Sequence, residues 1–377
     1  MRYLRARRLA GALAVGLTAV AVTAQTPPPG VAADGLIHAE LTLDAQLISV
    51  AFRPDLPAAG GTHLALLSGA VGSRARVGSL TAHRALRIGS ITPGAEAPPP
   101  VAEDEAPEPP VSHELWLART VQGWELEAHA EDSPDPAVIP LAHRATDAAA
   151  PTLSASLHAT AAEAGRLVLR WGAHVWSADF RFDELPPRPP EARPTAGSDG
   201  TARERDTDTT PIFRRNLLDE RNETALVLPG GERISALYWK SVDVEDEDYP
   251  ALASTADGAV VELIRAPVLR LRSEVGLRVG GADLPTGNLV PGFAGSYGLW
   301  LRRAGDGWQF VFNNEPDSWG TQHDEAYDMA AADVYYSRSD GAFRPLGITL
   351  APAGAGRGRL IVHWGPHEWA ADFTVVD

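Results

Sequence analysis

The sequence predicts an all-β protein with minor α content, built as a tandem duplication of antiparallel β-sandwich-like domains. Three observations carry that prediction. The stretch Arg166 to Phe180 (RLVLRWGAHVWSADF) returns as Arg359 to Phe373 (RLIVHWGPHEWAADF), an offset of 193. Upstream, Leu115-Trp116-Leu117 with Gly123-Trp124 returns as Leu299-Trp300-Leu301 with Gly307-Trp308, an offset of 184, so the second copy holds nine extra residues, expected between Trp319 and Arg344. Within both copies apolar and polar residues alternate with the period of two that half-buried strands require.

The chain begins with an address. Arg2, Arg5, Arg7 and Arg8 precede a charge-free run from Leu9 to Ala24 that ends in Val22-Thr23-Ala24, the pattern of a secretory signal peptide over residues 1–24. Its Ala- and Gly-rich apolar run is shorter than the roughly 20 residues a spanning helix needs, and Pro27-Pro28-Pro29 follow it. A second cut is open after Ala33. Cleavage would leave a secreted or periplasmic product with no integral membrane segment. The whole chain carries 33 Lys+Arg against 49 Asp+Glu, a net charge of −16, which excludes a nucleic-acid binder working through a broad basic surface. The absence of cysteine excludes disulfide frameworks, zinc ribbons and thiol nucleophiles.

The first unit is expected over residues 33–184 and the second over 222–377. Between them, 185–221 is rich in Pro, Arg, Asp and Thr without apolar periodicity and reads as a disordered linker. Residues 92–110 (TPGAEAPPPVAEDEAPEPP) read as an acidic Pro-rich loop of the first unit. Leu167, Leu169 and Trp171, then Trp176, Ala178, Phe180 and Phe182, form the inward faces of a hairpin. Trp308, Phe310 and Phe312 form another such face, matched by Trp124, Leu126 and Ala128. Helical signals are weaker and fall on Asp324–Ala332 and Pro151–Ala164.

A family likeness rests on Leu284-Pro285-Thr286-Gly287, Gly295-Ser296-Tyr297-Gly298-Leu299-Trp300 and Gly307-Trp308-Gln309-Phe310-Val311-Phe312-Asn313. It continues through Trp319-Gly320, Tyr327-Asp328 and Asp333 to the Leu360–Phe373 hairpin. In these motifs the second unit resembles the bacterial domain of unknown function 2911 family, and the first unit is similar to a divergent copy. The family's Trp-Arg-X-Gly-X-Asn stretch has no counterpart in Leu263–Gly280, and the first unit lacks the Asn-Asn, Trp-Gly and Tyr-Asp elements. The resemblance implies export and a β-rich fold, and no reaction.

Several residues carry chemistry worth locating. His363 and His367 stand four apart, but Gly365-Pro366 between them breaks the helix that would align two metal ligands. With Trp364 paired to Trp369, His363 would face Ala370 and lie diagonal to Asp372, and Arg170 would stand in the same relation to Asp179, giving cross-strand support in both copies. His174 and His367 recur before a tryptophan and read as turn imidazoles bonded to backbone. His323, Asp324, Tyr327 and Asp328 gather polar groups in the extra segment without matching a metal signature. The acidic run Asp243, Glu245–Asp248 departs from the calcium-loop pattern, with Asp248 and Ser254 where Gly and Glu belong, and reads as a solvated loop. Trp116 and Trp300 point to the face opposite their flanking leucines, either as core or as platforms for a sugar ring. No Gly-X-Ser-X-Gly, phosphate loop, dinucleotide fingerprint or His-Glu-X-X-His occurs.

The functional expectation is an exported, non-enzymatic β-domain protein with a binding or envelope-associated role. Its candidate binding residues are Trp116, Trp300, Trp319, His323, Asp324, Tyr327, Asp328 and His367. The ligand is unidentified, an envelope glycan or a protein, and no cofactor, metal or nucleic acid is implied. The alternative is a hydrolase drawing on His323, Asp324, Asp328, His363 and Asp372, with or without a metal.

Overall fold

The computed structural model describes residues 34–43, 46–82, 86–89, 111–131, 133–183, 221–240, 242–262, 269–286, 295–315, 323–339 and 344–376. The expected signal segment 1–24, the loop 92–110, the linker up to residue 220 and Trp319 lie outside them. Among the described residues no helix is long and apolar enough to cross a membrane.

The fold is almost entirely antiparallel β, as predicted. The first copy supplies β1 (Ile37–Leu43), β2 (Gln46–Phe52), α1 (Gly61–Ser68), β3 (Arg74–Ala82), β4 (Leu86–Ile88), β5 (Val111–Thr120), β6 (Gly123–Ala130), β7 (Ala137–Ala159) and β8 (Ala164–Phe182). The second supplies β9 (Arg221–Val227), β10 (Arg233–Trp239), α2 (Ala251–Ser254), β11 (Leu269–Ser273), β12 (Gly276–Val279), β13 (Ala282–Leu284), β14 (Ser296–Ala304) and β15 (Gly307–Asn313). It ends with β16 (Asp328–Asp333), β17 (Tyr335–Arg338), β18 (Arg344–Pro352), β19 (Arg357–Gly365) and β20 (His367–Val376).

Strands from both copies make one fourteen-stranded sheet, ordered β16-β15-β14-β11-β10-β9-β1-β2-β3-β5-β6-β7-β8-β4. The join is the antiparallel pairing of β1 with β9, in which Ala39 lies opposite Leu226 and Leu41 opposite Thr224. Across it Arg233 Nη1 reaches Glu40 Oε2 at 2.5 Å while Arg233 Nη2 lies 3.3 Å from Glu223. A second sheet, β13-β12-β20-β19-β18 with β17 also on β20, faces the first in the second copy. In the first copy the long β7 pairs with β6 through Ala137–Leu141 and then with β8 from Ala142 onward, so one strand passes from layer to layer.

The alternating residues read from sequence line the core. Leu167, Leu169, Trp171, Trp176, Ala178, Phe180 and Phe182 are buried, as are Phe310 and Phe312, and the buried apolar residues of both copies form one continuous cluster. Fully burying each large apolar side chain is worth roughly 1.5–3 kcal/mol, so this face, not helix or strand propensity, decides the architecture.

Two expectations change. Asp324–Ala332 is not a helix: Asp324 caps a single 3-10 turn, Glu325–Tyr327, and the chain then runs as β16 along the free edge of β15. Pro151–Ala164 is likewise mainly strand, the end of β7, whose Leu153, Ala155, Leu157 and Ala159 are buried. In both places the ladder hydrogen bonds on offer outweigh propensities that differ by only tenths of a kcal/mol per residue. The hairpin register also differs. Trp364 lies opposite His367, and Val362 opposite Trp369, because Gly365 takes φ +57° and closes a two-residue connection. His363 therefore lies opposite Glu368, not Ala370. The base that meets the acid in each copy is Arg359 with Asp372 and Arg166 with Asp179, in place of His363 and Arg170.

Behind the β1–β9 join, β7 and β18 pack together. His158 Nε2 lies 2.9 Å from Ser156 Oγ and its Nδ1 3.1 Å from Thr349 Oγ1 of the other copy. His363 is fully buried, in space left because Gly347 has no side chain: a Cβ there would come within 2.6 Å of the imidazole. Burial, with the charges of Arg344 and His158, lowers the pKa of His363 to about 3. Burial, with Arg344, Arg166 and Arg170, lowers that of His158 to about 4. Both rings are thus neutral in the folded chain, whereas in the unfolded chain they take up protons below about pH 6.5. The stability they carry is full above that pH and is lost as the pH falls toward those lowered values. Between pH 6.5 and pH 5, urea unfolding should show a stability slope that His363→Gln flattens by up to about 1.4 kcal/mol per pH unit; equal slopes in both proteins would contradict the burial of a neutral ring.

Candidate functional site

The extra residues of the second copy fall between β15 and β16, replacing the short β6–β7 connection of the first copy. One side chain organises the described part of this segment. Asn313 Nδ2 donates to the Asp324 carbonyl and to Asp328 Oδ1, each at 2.9 Å, while its Oδ1 accepts from the Glu315 N–H at 2.8 Å. Asp324 Oδ1 accepts from the Ala326 N–H at 2.9 Å, and the Asn314 N–H donates to the Tyr327 carbonyl at 2.8 Å. These bonds fix the loop by satisfying backbone groups that strand pairing cannot reach.

The result is an oriented His-Asp pair. His323 Nε2 donates to Asp328 Oδ1 at 2.7 Å, with the two side chains only 10% and 15% exposed. Asp328 Oδ2 is buried with no hydrogen-bond partner among the described residues. The imidazole stands edge-on to Trp300, 5.3 Å between ring centres, and Trp300 is buried beneath it.

This pair lines a cavity of about 450 Å³ together with Glu262, Arg302 and Glu325. Arg302 is held by Gln309 Oε1, which accepts from its Nε and Nη2 at 3.1 and 2.7 Å, and Gln309 Nε2 donates in turn to Asp333. Three carboxyl groups against one guanidinium make the lining acidic and rich in acceptors. Among the described residues no three His, Asp or Glu side chains are grouped to hold a metal ion.

Of the residues nominated from sequence, the structure thus brings together Trp300, His323, Asp324 and Asp328. Tyr327 follows in the same segment with its side chain exposed. Trp300 is no exposed platform, because the extra segment covers it. Its counterpart Trp116 is half-buried, with the Arg74 guanidinium 5.3 Å over its ring and His129 at its edge. Trp319 lies outside the described residues. His367 belongs to a different cluster: it stacks on Trp369 with 5.6 Å between ring centres, and its Nδ1 lies 2.7 Å from the Tyr336 hydroxyl. Its repeat partner His174 stacks on Trp176 and meets His143 Nε2 at 3.0 Å, so both imidazoles bond a side chain where a backbone bond was expected. His363 and Asp372, invoked for hydrolysis, are respectively buried at the inter-copy contact and paired with Arg359, and share no site with His323. The acidic run is a loop with Asp243, Glu245 and Glu247 exposed, as expected, and it is anchored where the Asp243 carbonyl accepts from Trp364 Nε1 at 2.9 Å and where Asp248 is buried.

Sequence reasoning missed a second concave surface, between the two copies. It is lined by arginines from β7, β8, β18 and β19, and only the Arg166/Arg359 recurrence within the repeat hinted at it.

Asn313→Ala should remove three hydrogen bonds and leave the Glu315 N–H without its acceptor, while the Asp324 carbonyl keeps the Tyr327 N–H and Asp328 Oδ1 keeps His323. At about 1–3 kcal/mol for an unsatisfied group, the expected loss is about 1–3 kcal/mol in urea unfolding. A loss under about 0.5 kcal/mol would show that the loop does not depend on this side chain.

Comparison of the chain with protein-family models, with curated proteins and with solved structures gives no match.

Proposed function

We propose that the chain is an exported, non-enzymatic binding protein with an envelope-associated role, and that its second copy belongs to the domain of unknown function 2911 family, with the first a divergent copy. Export is supported by the Arg-rich start and small-residue cleavage pattern of residues 1–24. Family membership is supported by the Leu284–Gly287, Gly295–Trp300 and Gly307–Asn313 motifs. The observation that carries the binding reading is the convergence of Glu262, Arg302, His323, Glu325 and Asp328 on one cavity, built by a segment that only one copy possesses. A pocket lined with carboxylate acceptors, of which Asp328 is held by Asn313 and His323, and with few donors, suits a neutral ligand rich in hydroxyl groups, which makes an envelope glycan the favoured partner. Trp300 contributes the rigid floor on which His323 is set.

A second reading draws on the same geometry. An imidazole oriented by a carboxylate, itself oriented by Asn313, is the arrangement a general base needs. The hydrolase alternative therefore narrows to His323 and Asp328.

One experiment separates the two. The mature chain, from Gln25 and without a His tag, is screened by thermal unfolding against neutral envelope oligosaccharides, and each mixture is then analysed for cleavage. A ligand at 100 times its dissociation constant should stabilise by about 2.7 kcal/mol, a shift of several degrees that His323→Ala and Asp328→Asn abolish. Cleavage lost in the same variants would replace the binding reading with the hydrolase one. No shift with any oligosaccharide would refute the glycan assignment.

A further inference from the structure

A cavity of about 570 Å³ opens between the two copies. Its walls carry Arg144, Arg166 and Arg170 from β7 and β8, and Arg344 and Arg359 from β18 and β19, against the acids Glu368 and Asp372. In a chain of net charge −16 this clustering of cations is not a reflection of composition.

Three of the five arginines are already paired. Arg166 Nε lies 2.5 Å from Asp179, Arg359 Nε 2.6 Å from Asp372 and Arg344 Nη1 3.1 Å from Glu368. Among the described residues Arg144 and Arg170 have no acidic partner. Arg170 donates through Nη2 to the Ala148 carbonyl at 3.2 Å, and its Nε is buried without a hydrogen-bond partner. Burial lowers the pKa of Arg170, and the charges of Arg359 and Arg144 lower it further. Holding like charges together in a partly dehydrated groove costs stability in the free protein. An oxyanion removes that cost, because its oxygens accept charge-assisted hydrogen bonds from guanidinium forks. Beside these two cations the groove is lined by Ser154, Ser156 and Ser177, and Ser156 Oγ is set by His158 Nε2 at 2.9 Å.

We propose that this groove is an anion-binding site for a small ligand bearing a carboxylate or phosphate group, held by Arg144 and Arg170, with a hydroxylated body lying along Ser154 and Ser156. The site requires both copies, since the charge that crowds Arg170 from across the groove belongs to Arg359. It stands independently of the His323 cavity, whose lining is acidic. The net negative charge of the chain does not prevent binding: at physiological ionic strength fields decay over roughly 8 Å, so the two guanidinium groups at contact distance dominate.

The test is calorimetric titration of the mature chain with digalacturonate and with inorganic phosphate, at low and at physiological salt. Saturable binding of at least one anion is expected, weakening as salt rises; digalacturonate alone would identify a carboxylate sugar as the ligand, and phosphate a phosphate group. Arg170→Gln should weaken binding at least tenfold. Arg144→Glu, at an exposed position that folding tolerates, should abolish it while the melting temperature stays that of the parent. Asp328→Asn, in the other cavity, should leave anion binding unchanged, so the two sites fail or succeed separately. The proposal is overturned if neither anion saturates, or if binding survives Arg144→Glu.

Discussion

The way the two copies meet follows from the pairing of β1 with β9. Each is the first strand of its copy, each is hairpinned to the next strand, and left unpaired each would present a row of free N–H and C=O groups. Joining the two edges satisfies both at once. Because equivalent strands meet antiparallel, the copies are related by a local twofold normal to the sheet, and the layer behind must meet itself in the same way. That is why β7 and β18 lie together and why His158 reaches Thr349. The Arg233 bridge from Glu40 to Glu223 adds a charged clasp that neither copy could form alone.

Two concave surfaces result, with opposite electrostatics and different origins. The arginine groove exists only because two copies meet, and it uses positions that differ between them: the place of Arg170 in the first copy is held by His363 in the second. The acidic cavity exists because one copy alone acquired a segment, and Trp300 is covered by His323 where Trp116 is left beneath Arg74. Duplication thus supplied a scaffold whose halves could diverge without loss of the shared core. This explains why the tryptophans of the hairpins and the Arg166–Asp179 and Arg359–Asp372 pairs recur, while a groove position such as Arg170 becomes His363.

Much of the fold was legible in the sequence, and for a definite reason. Period-two burial is a local property, so Leu167 to Phe182 and Trp308 to Phe312 announced their inward faces. The cluster of His323, Asp324 and Asp328 was legible because the repeat offset exposed the segment that holds it. Three things were not legible. The register of the last hairpin turned on whether Gly365-Pro366 closes a short or a longer loop, and a shift of two residues moved the acid-pairing role from His363 to Arg359. The segment from Asp324 to Ala332 looked helical because its residues are good helix formers, and the waiting edge of β15 makes a strand of it from Asp328 onward. The arginine groove was invisible because its members come from four strands in two copies, and no spacing in the chain brings Arg144 and Arg359 together.

The most direct measurement of the account is hydrogen exchange followed by mass spectrometry on the chain, comparing peptides that cover β1 and β9 with those that cover β2 and β10. If the copies share one sheet, both strands are interior and their amides should exchange as slowly as those of β2 and β10, opening only with the global unfolding of the structure. Fast exchange in β1 and β9, with slow exchange on either side, would show two separate sheets with free edges, and the inter-copy groove would go with the join.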